Sequence, residues 1–168
     1  FASLAAYLAT ADDDGVQLHQ YAPSSVRTTL PDGRIVAFDV ETGYPVDGRI
    51  RVTVREEAEF ALTLRVPSWA DGARLSVSAR DPQSDQASDE RVDPGTVVVR
   101  RAFRAGDVIE LELPLGARVT APSPMVDAVR ASVVVERGPE VLALESIDLG
   151  ADVGDVVLVG DPVERDGR

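Results

Sequence analysis

Apolar residues recur at every second position along most of this chain. In the segment GRIRVTV, Ile50, Val52 and Val54 share one face, while arginine and threonine side chains share the other. The segments EFALTLRV, ARLSVSAR and VIELELPL repeat this alternation. A period of two is typical of a strand that has one face in a core and the other in water. The pattern therefore predicts several half-buried β-strands.

Clusters of turn-forming residues separate these strands at short intervals. The sequence ADDDG precedes Val16, LPDG begins at Leu30, YPVDG begins at Tyr44 and RAGD begins at Arg104. Glycine, proline and aspartate favour turns because they supply or tolerate backbone angles that strands do not use. Short strands joined by such turns indicate an all-β chain, and we predict an antiparallel β-sandwich that is jelly-roll-like.

Two segments depart from the alternation. The Ala-rich segment Phe1–Thr10 spaces its leucines as a helix would, so we predict a short N-terminal helical tail. The segment Asp81–Gly95 is polar and has no apolar period, so we predict a surface loop between two strands.

A change in the pattern also predicts the domain organisation. After Leu115 the run GARVTAPSPMVD contains two prolines, and the alternation resumes in ASVVVERG and VLALESID. We therefore expect a helical tail over residues 1–11, a first β-sandwich over residues 12–118, and part of a second β-sandwich over residues 119–168.

The composition excludes several classes of partner and site. The net charge of −12 repels nucleic-acid phosphates and anionic lipids, and no apolar run approaches the roughly 20 residues of a membrane helix. We expect no nucleic acid and no membrane as partners, and a soluble, cytoplasmic protein is slightly favoured. The absence of cysteine excludes disulfides and thiolate chemistry. Because the chain begins with Phe1, we expect it to be a piece of a longer protein.

Carboxylates are too abundant to identify a catalytic pair. With 29 acidic residues, close pairs arise by chance, and alternate acids such as Glu110 and Glu112 are typical of a solvated strand face. The run Asp12–Asp14 lacks the ligand spacing of a calcium loop and is typical of a polar turn. We therefore predict no catalytic, cofactor-binding or metal-binding residue in this chain.

Trp69, Tyr44 and His19 are the candidates for contact with a sugar. Trp69 either stacks on a sugar ring at the surface or folds back over the end of the core, and Pro67, which ends the strand, favours the second reading. Tyr44 precedes a proline and is expected to pack across its turn. His19 is the only histidine, so histidines alone form no metal pair here, and we expect a hydrogen-bonded surface residue.

Five motifs in order resemble the region that follows the catalytic barrel in the β-L-arabinofuranosidases of glycoside hydrolase family 127. The motifs are YLATADDDGVQLHQYAPSSV, ETGYPVDGRIRVTV, LTLRVPSWADGARLSV, RRAFRAGDVIELELPL and VVVERGPEVLALESID. The resemblance runs from about Phe1 to Asp148. The family pattern has tryptophan at the positions of Val46 and Phe103.

The resemblance implies an (α/α)6 barrel upstream of this chain. In the family this barrel carries a cysteine nucleophile, zinc held by cysteines and a glutamate, and an acid/base glutamate. Residues 1–11 would then end the last barrel helix, and zinc would belong to the upstream domain. The implied function is a noncatalytic accessory region that supports the barrel of the same polypeptide. A second copy of the full-length enzyme is a further candidate partner.

Two other functions compete with this one. The chain could be an autonomous carbohydrate-binding module. Such a module needs exposed aromatic side chains on one face, and this chain has few: one tryptophan, three tyrosines and four phenylalanines. It could instead be a purely structural module that contacts another subunit.

All 17 basic residues are arginine, which indicates either a GC-rich genome or adaptation to high salt. In both cases we expect salt to stabilise the chain, because repulsion among carboxylates weakens as the screening length falls from about 10 Å at 0.1 M to about 3 Å at 1 M. Thermal melts in increasing sodium chloride, with sucrose as an uncharged control, measure the effect. A melting temperature that stays flat or falls would show that the acids are already paired.

Overall fold

The computed structural model of the protein describes residues 4–79, 88–160 and 162. The chain divides into two compact units: unit 1 ends at Pro114 and unit 2 begins at Leu115. This division lies before the boundary expected at residue 118, because a strand of unit 2 already begins at Ala117. In the described part of the chain, no helix is long and apolar enough to cross a membrane.

Unit 1 contains a four-stranded sheet, sheet A, and a six-stranded sheet, sheet B. Sheet A has the order β1-β2-β6-β9, with β1 Ala9–Ala11, β2 Gly15–Leu18, β6 Ala58–Val66 and β9 Gly95–Phe103. Sheet B has the order β3-β4-β5-β10-β7-β8, with β3 Ser24–Thr29, β4 Ile35–Thr42, β5 Arg49–Val54, β10 Val108–Glu112, β7 Ala73–Ser78 and β8 Ser88–Val92.

One hydrophobic core draws side chains from both sheets, which makes unit 1 a β-sandwich. Phe60, Leu62 and Leu64 of β6 are at most 1% exposed, and Ile50 and Val52 of β5 are fully buried in the same cluster. Burial of each such side chain stabilises the fold by about 1.5–3 kcal/mol. The predicted all-β fold is confirmed, and the strands alternate as the apolar period indicated.

One strand pair departs from the antiparallel arrangement. β2 lies parallel to β6, with Leu18 opposite Leu64, whereas the other described pairs of unit 1 are antiparallel. Gly15 permits this close pairing, because a Cβ atom there would lie 2.0 Å from the carbonyl oxygen of Ala61. A side chain at that position would therefore push the two strands apart.

The N-terminal segment is less helical than predicted. In its described part, a 3-10 helix covers only Leu4–Tyr7, and Ala9–Ala11 forms β1 against β2. The reason is the turn at Asp12, whose N–H donates to the carbonyl of Gly15 and folds β1 back on β2. The first three residues of the predicted tail lie outside the described residues.

The predicted surface loop at Asp81–Gly95 is wrong in its second half. Ser88–Val92 is β8, which pairs with β7 at the edge of sheet B, and Gly95 begins β9. Only Val92 of β8 is buried, so the strand has almost no apolar signal and is held by backbone pairing. Residues 81–87 lie outside the described residues.

The RAFRAGD motif builds a buried charge pair. The carboxylate of Asp107 is 1% exposed and accepts a hydrogen bond from the backbone N–H of Arg104. The guanidinium of Arg101 lies 3.8 Å from this carboxylate and 5.6 Å from the ring centre of Phe103. Phe103 in turn packs on Phe60, with ring centres 4.6 Å apart. The motif therefore ties the end of β9 to the core.

The outer face of sheet B is a ladder of opposite charges. Glu41, Arg51 and Glu110 stand side by side on β4, β5 and β10, and Arg51 lies 3.2 Å from Glu110. Further along the sheet, Arg74 pairs with Asp89 at 2.7 Å. Exposed pairs contribute little stability each, but they reduce the self-repulsion that salt would otherwise screen.

Unit 2 contains a three-stranded antiparallel sheet with the order β11-β12-β13. Its strands are β11 Ala117–Thr120, β12 Val134–Arg137 and β13 Glu140–Leu142. A 3-10 helix at Asp127–Val129 precedes β12, and a helical turn at Ser146–Leu149 and a 3-10 helix at Val153–Asp155 follow β13. This sheet lies in the part of the chain where a second sandwich was predicted, and the second sandwich itself stays a prediction.

Replacing Asp107 by alanine should lower the free energy of unfolding by about 3–5 kcal/mol, because it removes the carboxylate that faces a largely buried guanidinium. Urea denaturation followed by Trp69 fluorescence measures the loss. Asp71→Ala is the control: Asp71 pairs with Arg91 at 2.8 Å, but its side chain is 76% exposed. In this control variant the free energy of unfolding should fall by at most about 1 kcal/mol. Equal losses in both variants would contradict a structural role for the buried pair.

Candidate functional site

The sequence candidates lie around one end of unit 1, where β2 and β6 finish together. These strands are parallel and Leu18 lies opposite Leu64, so His19, which follows β2, lies at the same end of sheet A as Arg65, near the end of β6. The chain leaves β6 through a turn in which the N–H of Ala70 donates to the carbonyl of Pro67, and Trp69 lies in that turn. We name this region the β6 end.

Two tyrosines from different connections, Tyr21 between β2 and β3 and Tyr44 between β4 and β5, meet at the β6 end. The hydroxyl of Tyr21 donates to the carbonyl of Arg65 at 2.6 Å, and the ring of Tyr44 packs edge-on against Tyr21 with centres 6.1 Å apart. Burial raises the pKa of both phenols above the ordinary value. Tyr44 also begins the cis Tyr44–Pro45 bond of the YPVDG motif. Both phenols therefore stay protonated and neutral at physiological pH.

Trp69 is half-buried and packs against the hydrophobic core. Tyr44 is also half-buried and belongs to the same packing shell. Neither ring lies flat and open on the surface, which favours the interpretation of Trp69 as a cover over the core end. Their role as sugar contacts stays a prediction.

His19 is exposed and belongs to a chain of polar side chains. Its Nε2 lies 2.7 Å from the hydroxyl of Thr10, which donates its own proton to Oε1 of Gln17. The amide nitrogen of Gln17 then donates to Asp12. Because the Thr10 proton is directed to Gln17, its oxygen is available to accept a proton from His19. His19 therefore acts here as a hydrogen-bonded surface residue.

Arg65 is the residue of the β6 end that sequence reasoning missed. Its positive charge acts on both Tyr21 and Tyr44, and its side chain is exposed. Among the described arginines, only Arg65 and Arg104 form no ion pair. In the sequence it looked like an ordinary outward residue of a strand, so only the tertiary structure reveals its surroundings.

The β6 end presents hydrogen-bonding groups, aromatic rings and one exposed positive charge. Within residues 4–79, 88–160 and 162, no group of three or more histidine, aspartate or glutamate side chains is placed to hold a metal. A shallow groove of about 180 Å³ on sheet B is lined by Arg74, Ser76, Asp89, Glu110 and Glu112, and it belongs to the charge ladder. The available chemistry is hydrogen bonding, aromatic contact and one exposed positive charge.

Both units match models of known protein families. Residues 15–115 match the family model described as the beta-L-arabinofuranosidase, GH127 middle domain. Residues 117–164 match the model of the glycoside hydrolase family 127 C-terminal domain. No curated protein sequence matches the chain.

Solved structures give the same assignment. The GH127 β-L-arabinofuranosidase Ara127N-Se from Geobacillus stearothermophilus T6 is 32% identical with a TM-score of 0.77, over 90% of this chain and 24% of its own. The GH127 β-arabinofuranosidase BT3674 is 27% identical with a TM-score of 0.68, over 83% of this chain and 24% of its own.

A third structure, described as a glycoside hydrolase, is 30% identical with a TM-score of 0.68, over 80% of this chain and 22% of its own. The chain thus spans about a quarter of the length of these structures. Together with the two family models, this likeness shows that the chain belongs to glycoside hydrolase family 127 and contains its middle and C-terminal domains.

Proposed function

We propose that this chain is a noncatalytic accessory region of a family 127 hydrolase and that it supports a catalytic barrel on the same polypeptide. Two properties of the chain support the noncatalytic part. It contains no cysteine, and its described acids and single histidine form no metal-binding group. This chain covers 24% of the length of each of two matched β-arabinofuranosidase structures, which leaves room for a separate catalytic domain.

The observation that carries the proposal is the apolar surface of unit 2. Among its described residues only Gly138 is buried, whereas the core of unit 1 is rich in fully buried side chains. Among the described residues, sixteen large apolar side chains of unit 2 are exposed, against four in unit 1. The most exposed are Met125 at 91%, Val159 at 90%, Ile147 at 84% and Val157 at 79%.

An exposed apolar surface lowers the stability of a domain in water, and covering that surface stabilises the domain. Ordering the backbone of a residue costs about 1–2 kcal/mol, and burial of apolar area is the main term that offsets it. Contiguous exposed apolar side chains on a soluble domain mark a contact surface. We therefore propose that the barrel covers this surface, so that unit 2 folds stably only as part of the longer protein.

The docking surface is tested by the double variant Ile147→Asp with Val157→Asp in the longer polypeptide. Two charges buried at the contact should lower the temperature at which hydrolysis of a p-nitrophenyl β-L-arabinofuranoside is lost, because their desolvation is not compensated. Ile35→Asp, at a 42% exposed position of unit 1, is the matched control and should leave this temperature unchanged. The 168-residue chain alone should release no nitrophenol.

Two results would contradict the proposal. Hydrolysis by the purified 168-residue chain would show that it carries its own active site. An unchanged inactivation temperature in the double variant would show that unit 2 does not dock through its apolar side chains.

The rival carbohydrate-binding function makes a different prediction for Trp69. Because this ring packs against the core, its emission should be blue-shifted from that of free tryptophan and insensitive to added arabino-oligosaccharide. A titration followed by fluorescence, with acrylamide quenching as the measure of exposure, checks this. A saturable change in emission that is lost in Tyr44→Ala would favour the carbohydrate-binding module.

A further inference from the structure

Aspartate is followed directly by glycine at several places in this chain. The pairs are Asp14–Gly15, Asp32–Gly33, Asp47–Gly48, Asp71–Gly72 and Asp166–Gly167, of which the last lies outside the described residues. Such a pair is chemically reactive, because glycine has no Cβ atom and its backbone nitrogen can reach the side-chain carboxyl carbon of the aspartate. This ring closure requires the main chain to move, so the fold decides which pair reacts.

Hydrogen bonds hold the attacking nitrogen at two of these pairs. The N–H of Gly15 donates to the carboxylate of Asp12 at 3.0 Å. The N–H of Gly33 donates to the carbonyl of Leu30 at 2.9 Å. In both pairs the nitrogen must first give up its hydrogen bond before it can reach the carboxyl carbon.

Backbone packing holds the third pair. The carbonyl of Gly48 accepts a hydrogen bond from the N–H of Leu113 at 2.9 Å, and a Cβ atom on Gly48 would lie 1.8 Å from the carbonyl oxygen of Leu113. The carboxylate of Asp47 accepts a hydrogen bond from the N–H of Arg49 at 3.0 Å. Rotation of the main chain at this pair would therefore separate it from Leu113.

The pair Asp71–Gly72 lies in an exposed turn that is weakly held. One hydrogen bond closes this turn, from the N–H of Ala73 to the carbonyl of Ala70 at 3.2 Å. Among the described residues, no group accepts a hydrogen bond from the N–H of Gly72. The Asp71 side chain is 76% exposed and pairs at 2.8 Å with Arg91, which is itself exposed. Few contacts must break for this turn to open.

We propose that Asp71 is a modification site at which the chain converts to isoaspartate without an enzyme. The nitrogen of Gly72 bonds to the side-chain carboxyl carbon of Asp71, and one water molecule leaves, made from the carboxyl hydroxyl and the amide proton. Water then opens the five-membered imide. Attack at the main-chain carbonyl gives isoaspartate, and attack at the other carbonyl restores aspartate. The site belongs to unit 1, so this inference does not rest on the proposed function.

Isoaspartate at position 71 alters the β6 end. The main chain then runs through the former side chain, which adds one methylene group two residues after Trp69. The free carboxylate moves onto the Cα atom and away from its position beside Arg91. The turn that carries Trp69 against the core is thus longer than the one that the sequence encodes.

Storage of the folded chain in water enriched in heavy oxygen tests the site, because each imide opening leaves one heavy oxygen atom in the product. Cleavage after arginine places each described pair in a separate peptide, namely residues 1–27, 28–34, 35–49 and 66–74. Mass spectrometry should find at least about tenfold more label in peptide 66–74 than in the other three, because its turn opens most readily.

Two controls separate the effect of the fold from that of the local sequence. In concentrated urea, which removes the restraints of the fold, the four peptides should gain label at similar rates. The variant Asp71→Glu keeps a carboxylate beside Arg91 but would have to close a six-membered ring, so its peptide 66–74 should gain almost no label. Equal labelling of the four peptides in the folded chain, or labelling of peptide 66–74 only in urea, would overturn the proposal.

Discussion

The burial of Phe60, Leu62 and Leu64 on one face of β6 fixes the arrangement of sheet A. Side chains alternate along a strand. A shift of the β6 pairing register by one residue would therefore expose all three side chains to water and bring polar side chains into the core. β2 and β9, which flank β6, must therefore pair in one register. That register ends β2 and β6 at the same end of the sandwich, with Leu18 opposite Leu64. The position of the β6 end is thus a consequence of how β6 packs.

The period of two predicted the interior strands well because their alternation reflects burial on one side. It could not show that β2 runs parallel to β6, since parallel and antiparallel strands alternate in the same way. It also missed β8, in which only Val92 is buried, and β1, in which no residue is buried. Both are edge strands held by backbone hydrogen bonds, and these leave no apolar signal in the sequence.

The residues of the candidate site could be picked out from the sequence, but their arrangement in space could not. Trp69, Tyr44 and His19 stood out by their chemistry, because aromatic side chains are few in this chain and His19 is its single histidine. Their placement around the β6 end depends on the parallel pairing of β2 with β6 and on Tyr21, whose hydroxyl donates to the carbonyl of Arg65 and whose ring packs on Tyr44. Contacts between residues 44 positions apart are set by tertiary packing, so a local pattern does not contain them.

The two outer faces of unit 1 differ in the charge that they expose. Sheet B exposes paired charges, which water solvates well and a protein neighbour would have to desolvate. Sheet A exposes a row of smaller, uncharged side chains, in which Thr10, Gln17, Thr63 and Val98 lie in register across its four strands. Arg65 and Arg100 flank this row, because Arg65 lies two residues from Thr63 on β6 and Arg100 lies two residues from Val98 on β9, and both are exposed. A neighbour that packs on the row itself therefore meets uncharged side chains, but it must accommodate these two cations at the rim of the contact.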